Sequence, residues 1–279
     1  MKEHPPLQTT DSVTSSEVWH TYLTTGAAVK GMQLKWFEHP FFKPIFRLMP
    51  SEPRCHICYI PFQGIGGAIS KRLLNVKPSN MNPNICDQCE RFAERFIGGT
   101  ELEISILFAD IRGSTQIAES MEPREFSELI HRFYIAGTKA LYSNNAMIDK
   151  FIGDGLTAFF APAFGGPNHA LAAINAGKDI LYATGYGEEK SPWISVGVGV
   201  NTGVTYIGSM KMEGGRTDIT ILGDAVNTTA RLCSQAAAGE MLVGERTIEM
   251  AGLSADGYET RKLSLKGKQD VVEAWVIKP

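Results

Sequence analysis

Ile104-Ser105-Ile106-Leu107-Phe108-Ala109 is a nearly unbroken apolar run of strand length that ends in Asp110, the pattern of a strand buried on both faces. Arg112-Gly113-Ser114-Thr115 follows, with a glycine for a tight turn and hydroxyls suited to opening a helix. Residues 122–144 place Phe126, Leu129, Ile130, Phe133 and Ala136-Gly137 at helical spacing, with acids early. Two apolar strands, 147–152 and 156–161, flank Gly153-Asp154-Gly155, so a hairpin is expected with Asp154 at its tip. A helix is expected over about 168–184, then two strands, 193–201 and 204–210, joined at Thr202-Gly203. The first of these alternates as a half-buried strand does, and its glycines permit close backbone approach. Residues 219–222 read as a strand running through Gly223 into a helix over 224–235; a strand at 241–243, a helix at 245–251 and strands near 258–265 and 271–277 complete the chain. Strand, helix, strand, strand, helix, strand predicts an α+β layer with antiparallel pairs and a ferredoxin-like core.

The first hundred residues have a different pattern. Residues 1–20 are rich in Ser, Thr and Pro and are expected to be a mobile tail. Residues 18–49 turn aromatic and basic and are interrupted by prolines, which allows short helices at best. They are expected to pack on the rest of the protein or on a second copy, with a peripheral membrane contact through residues 34–49 as the alternative. Cys55-x-x-Cys58 and Cys86-x-x-Cys89 are then separated by 27 residues. Two such knuckles can turn four thiolates toward one ion, and zinc, an iron–sulfur centre or no metal at all are the three readings of the spacing. Between them lie two expected loops, one glycine-rich at 61–67 and one at 78–84; Gly64-x-Gly66-Gly67 is weak as a nucleotide motif, since no strand precedes it. Residues 90–99 read as a short helix closed by Gly98-Gly99, which sets the domain boundary. The expected organisation is a tail (1–20), an aromatic and cysteine-rich metal domain (21–99) and a larger α+β domain (100–279).

Composition narrows the classes. A chain of 279 residues with 43% hydrophobic content can bury a sizeable core in one or two domains. A net charge of −3 gives no reason to expect nucleic acid or an anionic membrane as partner. No apolar run reaches the roughly 18 residues that span a bilayer, and the N-terminus lacks a signal-peptide pattern, so the cytoplasm is the expected compartment. There, five cysteines are ligands or packing residues rather than disulfides; Cys233, alone on a helix, is expected in the core.

The candidate chemistry rests on two acids at separate strand ends, Asp110 and Asp154, and on Asn227 and Arg231, four apart on one helical face. An acid beside a turn rich in N–H groups suits a metal–phosphate site. The segments FADIRGST, KFIGDG and GDAVNTTAR, in that order and spacing over about residues 101–279, resemble the catalytic domain of class III nucleotide cyclases, the adenylate and guanylate cyclases. The resemblance implies formation of a 3′,5′-cyclic nucleotide and pyrophosphate with two Mg²⁺ or Mn²⁺ ions per site, held by Asp110, Asp154 and the Ile111 carbonyl. It implies the turn of Arg112, Gly113, Ser114 and Thr115 under the phosphates, Asn227 orienting the ribose and Arg231 stabilising the transition state. Lys150 and Thr220 are the implied base-recognising pair, with Asp218 the competitor if the register slips; Lys266 resembles a residue that reaches the triphosphate. Many members carry aspartate where Thr220 stands, a bacterial adenylate cyclase subgroup carries threonine, and guanylate cyclases typically carry glutamate and cysteine at the two places. ATP is therefore the expected substrate, in a head-to-tail homodimer with shared sites. Guanylate cyclase activity and a non-catalytic nucleotide-sensing module are the alternatives.

Overall fold

A computed structural model of the chain describes residues 14–26, 53–55, 58–79, 85–89, 91, 96–187, 191–211, 217–254, 256–264 and 271–279. The aromatic and basic stretch 34–49 and Lys266 lie outside the described residues. The chain divides into two compact units, one of residues 1–102, 162–164 and 206–221, the other of 103–161, 165–205 and 222–279.

In the first unit helix α1 (Ser15–Thr25) corrects the expected tail over residues 14–20. Its start is a capping box: the Thr14 hydroxyl accepts from the Glu17 N–H, and the Glu17 carboxylate accepts from the Thr14 N–H at 2.8 Å. Val18, Trp19, Tyr22 and Leu23, at helical spacing, bury one face. Trp19 Nε1 donates to the Phe96 carbonyl and Tyr22 Oη to that of Cys89, so polar tips on the buried face pin α1 to the chain that follows the second cysteine knuckle. The glycine-rich loop expected at 61–67 is in part helix α2 (Gly64–Ile69), which continues into a wider five-residue turn, Ser70–Leu74. Strand β1 (Gly98–Ile111) begins at the glycines expected to close a helix. A side chain at Gly99 would clash with the Ile207 carbonyl, so this pair serves the close passage of two backbones.

From β1 onward, through residues of both units, the elements come in the predicted order, with a short helix at Pro162–Gly165 added. After β1 come α3 (Ser114–Ser120), α4 (Pro123–Ser143), the hairpin β2 (Met147–Ile152) and β3 (Gly155–Phe160), α5 (Pro162–Gly165) and α6 (His169–Ala183). Then come β4 (Val196–Lys211), β5 (Thr217–Leu222), α7 (Asp224–Gln235), β6 (Met241–Gly244), α8 (Glu245–Met250), β7 (Glu259–Leu263) and β8 (Val272–Ile277). The strands lie in the order β2-β3-β1-β4-β6-β8-β7, with β5 paired to β4. Pairs β1/β3, β2/β3, β6/β8 and β7/β8 are antiparallel and β4/β6 is parallel. The part β2-β3-β1-β4, with α4 and α6 as its crossovers, is the ferredoxin-like arrangement.

The alternation along β4 and β6 sends Val198, Val200, Met241 and Val243 to a core shared with Phe133 of α4 and Ile174 and Ile180 of α6. Leu242 joins Leu232 of α7 and Val276 in a second cluster. Each such side chain, fully buried, contributes about 1.5–3 kcal/mol. The break expected at Thr202-Gly203 is absent, because Thr202 is buried and its hydroxyl is 2.7 Å from that of Ser105, which is itself 2.9 Å from His169 Nδ1. A tertiary hydrogen-bond chain thus holds the turn-forming pair extended.

Glu240, just before β6, accepts from both terminal nitrogens of Arg261, at 2.7 and 2.9 Å. Those bonds pull its carboxyl from an ordinary 4.5 down to about 2. The folded chain then keeps Glu240 ionised where the unfolded chain protonates it. Its stabilisation is complete above about pH 4.5 and lost as the pH falls toward 2. Glu240→Gln is expected to cost about 2 kcal/mol at neutral pH and to flatten the acid limb of urea-unfolding stability; an unchanged acid limb would refute the assignment.

Candidate active site and metal centre

Asp110 is the penultimate residue of β1 and pairs in register with Gly155, so the acid at the strand end and the acid at the hairpin tip are neighbours. The Ile111 N–H donates to the Asp154 carbonyl at 3.3 Å, closing tip against strand. A side chain at Gly155 would come within 3.2 Å of Asp110 Oδ1, so this glycine makes room for the carboxylate. Burial, and then the adjacent Asp154 charge, push the Asp110 carboxyl above its ordinary value. Two acids set side by side, with their carboxylate oxygens as donors, fit a hard divalent cation. Tyr134 of α4 was not legible as part of this site. Its hydroxyl donates to the Gly153 carbonyl at 2.6 Å and its ring lies 4.6 Å from that of Phe151, so it fixes the hairpin tip.

After Asp110 the chain turns through Gly113 at φ +69°, and Ser114 and Thr115 open α3. Arg112 differs from the role expected of it. Its N–H is taken by the Ser195 carbonyl at 2.7 Å, and its guanidinium turns toward Asp110 and Cys233. The first N–H groups of α3 have no intrahelical partners, so any anion contact from this turn falls to them.

The α7 helix is positioned by glycines of β4. A side chain at Gly199 would stand 2.3 Å from the Cys233 nitrogen, so helix and strand backbones touch. Ala225, Thr228, Thr229, Leu232 and Cys233 form the buried face of α7, while Asn227 is exposed and Arg231 half-buried. Arg231 is two residues from Cys233, about 200° around the helix, and so faces away from the side that touches Arg112. Cys233 sits in the core as expected, and burial pushes its thiol up to about 12, so it stays protonated. On β2, Lys150 pairs with the buried Asp149 carboxylate at 3.2 Å. Thr220 is half-buried on β5, in the first unit.

The four knuckle cysteines come together in the first unit. All four Sγ atoms lie within 4.8 Å of one another, with Cys55–Cys89 at 3.8 Å and Cys58–Cys86 at 3.7 Å. Backbone N–H groups of Cys86 and Cys89 point at the sulfurs of Cys55 and Cys86, at 3.3 and 3.4 Å. Burial opposes the Cys55 thiolate, but hydrogen bonds from Cys58, Cys86 and Cys89 outweigh it and hold the thiol well below its ordinary range.

Solved structures that share this fold are nucleotide cyclases. The guanylyl cyclase Cya2 is 28% identical with a TM-score of 0.58, over 64% of this chain and 93% of that one. The adenylyl cyclase CyaB from P. aeruginosa is 26% identical with a TM-score of 0.55, over 65% and 96%. The chain belongs to the adenylate and guanylate cyclase catalytic domain family, whose model matches residues 99–279. A terminal-differentiation-specific adenylate cyclase of Dictyostelium discoideum is 31% identical over 62% of this chain, a stretch that is only 8% of that protein's length. Among the described residues no helix is long and apolar enough to cross a membrane.

Proposed function

We propose that the protein is an adenylate cyclase that converts ATP to 3′,5′-cyclic AMP and pyrophosphate in the cytoplasm. The observation that carries this is the Asp110–Asp154 pair on one side of the second unit, together with Asn227 and Arg231 on the outward face of α7. Asp110 and Asp154, with the Ile111 carbonyl, would hold two Mg²⁺ or Mn²⁺ ions. When bound, these ions lower the pKa of the ribose 3′-hydroxyl and neutralise the triphosphate. The backbone of Gly113, Ser114 and Thr115 would face the phosphates, and the family resemblance adds Lys266, which lies outside the described residues, as a triphosphate contact. Asn227 orients the ribose, and Arg231 offers planar, permanently charged donors to the oxygens on which charge builds at the α-phosphorus.

The outward set of α7 supports sites shared between two copies. Exposed Phe151 and Ile152 beside Asp154, and exposed Val204 and Leu222 near the start of α7, are apolar surface that a second copy would cover. For the base, Lys150 donates to a purine acceptor and Thr220 pairs with the adenine edge. Assay with ATP and GTP under Mg²⁺ and Mn²⁺ is expected to give a higher kcat/KM for ATP. Lys150→Glu combined with Thr220→Cys should erode that preference about tenfold or more. Equal or greater cyclic GMP formation by the unaltered protein would favour the guanylate reading; nucleotide binding with no product would favour a sensing module.

The four cysteines, in this reading, hold one zinc ion. Tetrahedral bonds of ~2.3 Å place thiolates about 3.8 Å apart, close to the Cys55–Cys89 and Cys58–Cys86 separations of 3.8 and 3.7 Å, with all four sulfurs within 4.8 Å of one another. An iron–sulfur cluster, the other reading of the spacing, distributes its cysteines over different irons and needs a wider cage.

A further inference from the structure

We propose that Arg112 is a positioning residue that sets the Asp110 carboxylate for metal and ties it to the inner face of α7. This rests on the metal-holding reading of Asp110. One nitrogen, Arg112 Nη2, lies 3.4 Å from Asp110 Oδ2 and 3.4 Å from Cys233 Sγ. The Cys233 thiol in turn donates to the Gly197 carbonyl at 3.4 Å. The Nε edge is enclosed and has no hydrogen-bond partner, and a side chain at Gly197 would come within 2.7 Å of it. The end of β1, the start of β4 and the buried face of α7 therefore meet on a single guanidinium, and Gly197 is the residue that admits it.

The contact is one-sided in a way that matters. Arg112 takes Oδ2, while Oδ1 is the oxygen beside Gly155, on the hairpin that carries Asp154. The carboxylate is thus held with one oxygen presented to the second acid, and the rotamer does not have to be fixed when a cation arrives. Two effects of Arg112 on a cation oppose each other: its charge repels, and its grip on Asp110 pre-organises. Partners that orient a metal ligand change affinity or activity about 10–100-fold when removed, and the proposal is that orientation wins.

The test is Mn²⁺ binding to the substrate-free full chain, followed by electron paramagnetic resonance, alongside kinetics at saturating metal. Arg112→Met is expected to weaken Mn²⁺ binding about tenfold or more and to lower kcat, with KM for the nucleotide within about twofold. Arg112→Lys, which keeps a donor and its charge, should recover part of both losses. Gly197→Ala keeps the charge but displaces the guanidinium, and should weaken Mn²⁺ binding in the same direction. Circular dichroism and urea midpoints identify any variant that is simply misfolded, and the remaining two still decide. Unchanged or tighter Mn²⁺ binding by folded Arg112→Met, with Asp110→Ala binding weakly, overturns the positioning role. Unchanged binding by Asp110→Ala overturns instead the metal reading on which it rests.

Discussion

Asp110→Ala and Arg231→Ala are each expected to lower cyclic AMP formation by about 10²–10³-fold or more, and an equal mixture of the two to regain about a quarter of the unaltered rate. The first loss follows from removing one of two acids that sit side by side at the β1 end and the hairpin tip. The second follows from removing the permanently charged Arg231, half-buried on the outward side of α7. The recovery follows from geometry within one chain. Arg112 joins the Asp110 side to the Cys233 face of α7, and Arg231 points about 200° away from that face. In the proposed dimer Arg231 would then face a second copy rather than its own Asp110. In a two-fold dimer the mixed pair places both lesions in one site and leaves the other whole. Random pairing makes about half of the dimers mixed, each with one working site of two. Verified subunit exchange with no recovered activity would refute shared sites and return catalysis to a single chain.

Replacing Cys55, Cys58, Cys86 or Cys89 by Ser is expected to abolish metal retention and to unfold the first unit around the cysteines. A four-thiolate zinc site contributes roughly 10 kcal/mol or more of binding energy that is also folding energy, comparable with the whole stability of a domain, about 5–15 kcal/mol. The consequence extends beyond the ligands. Tyr22 donates to the Cys89 carbonyl and Trp19 to that of Phe96, so helix α1 rests on chain that the proposed ion would fix. Elemental analysis of the purified protein should find about one zinc per chain and no visible colour. Chelation, or any one of the serine variants, should bring fast hydrogen exchange to the amides of Ser15–Thr25. Iron with sulfide and a visible spectrum would replace zinc by a cluster; metal-free protein with a protected α1 would end the metal proposal.

The adjacency of Asp110 and Asp154 was within reach of the sequence because each acid closes a strong local signal. One ends a six-residue apolar run and the other tops a glycine-bounded hairpin, and antiparallel pairing of such strands brings their ends together. The placement of Asn227 and Arg231 on one helical side was legible for a similar reason, since helical spacing is a property of neighbours in the chain. Helix α1 carried a readable signal in Thr14-x-x-Glu17, but the Ser and Thr content around it pointed to a tail.

What the amino-acid sequence determined by itself is therefore most of the elements from β1 onward, their α+β order and the chemical inventory: two acids, an Asn–Arg pair, and two cysteine knuckles. These depend on interactions a few residues long. What only the tertiary structure decided is where side chains go once distant backbones meet. Thr202-Gly203 stays in one long β4 because Ser105 and His169 supply hydrogen bonds from other elements. Gly98-Gly99 starts a strand because the Ile207–Gly208 backbone passes within side-chain distance. Arg112 turns to Asp110 and Cys233, away from the phosphate-binding role its turn suggested, because Gly197 leaves a slot for it. Each outcome rests on a contact between residues far apart in the chain, and local propensity carries no record of such contacts.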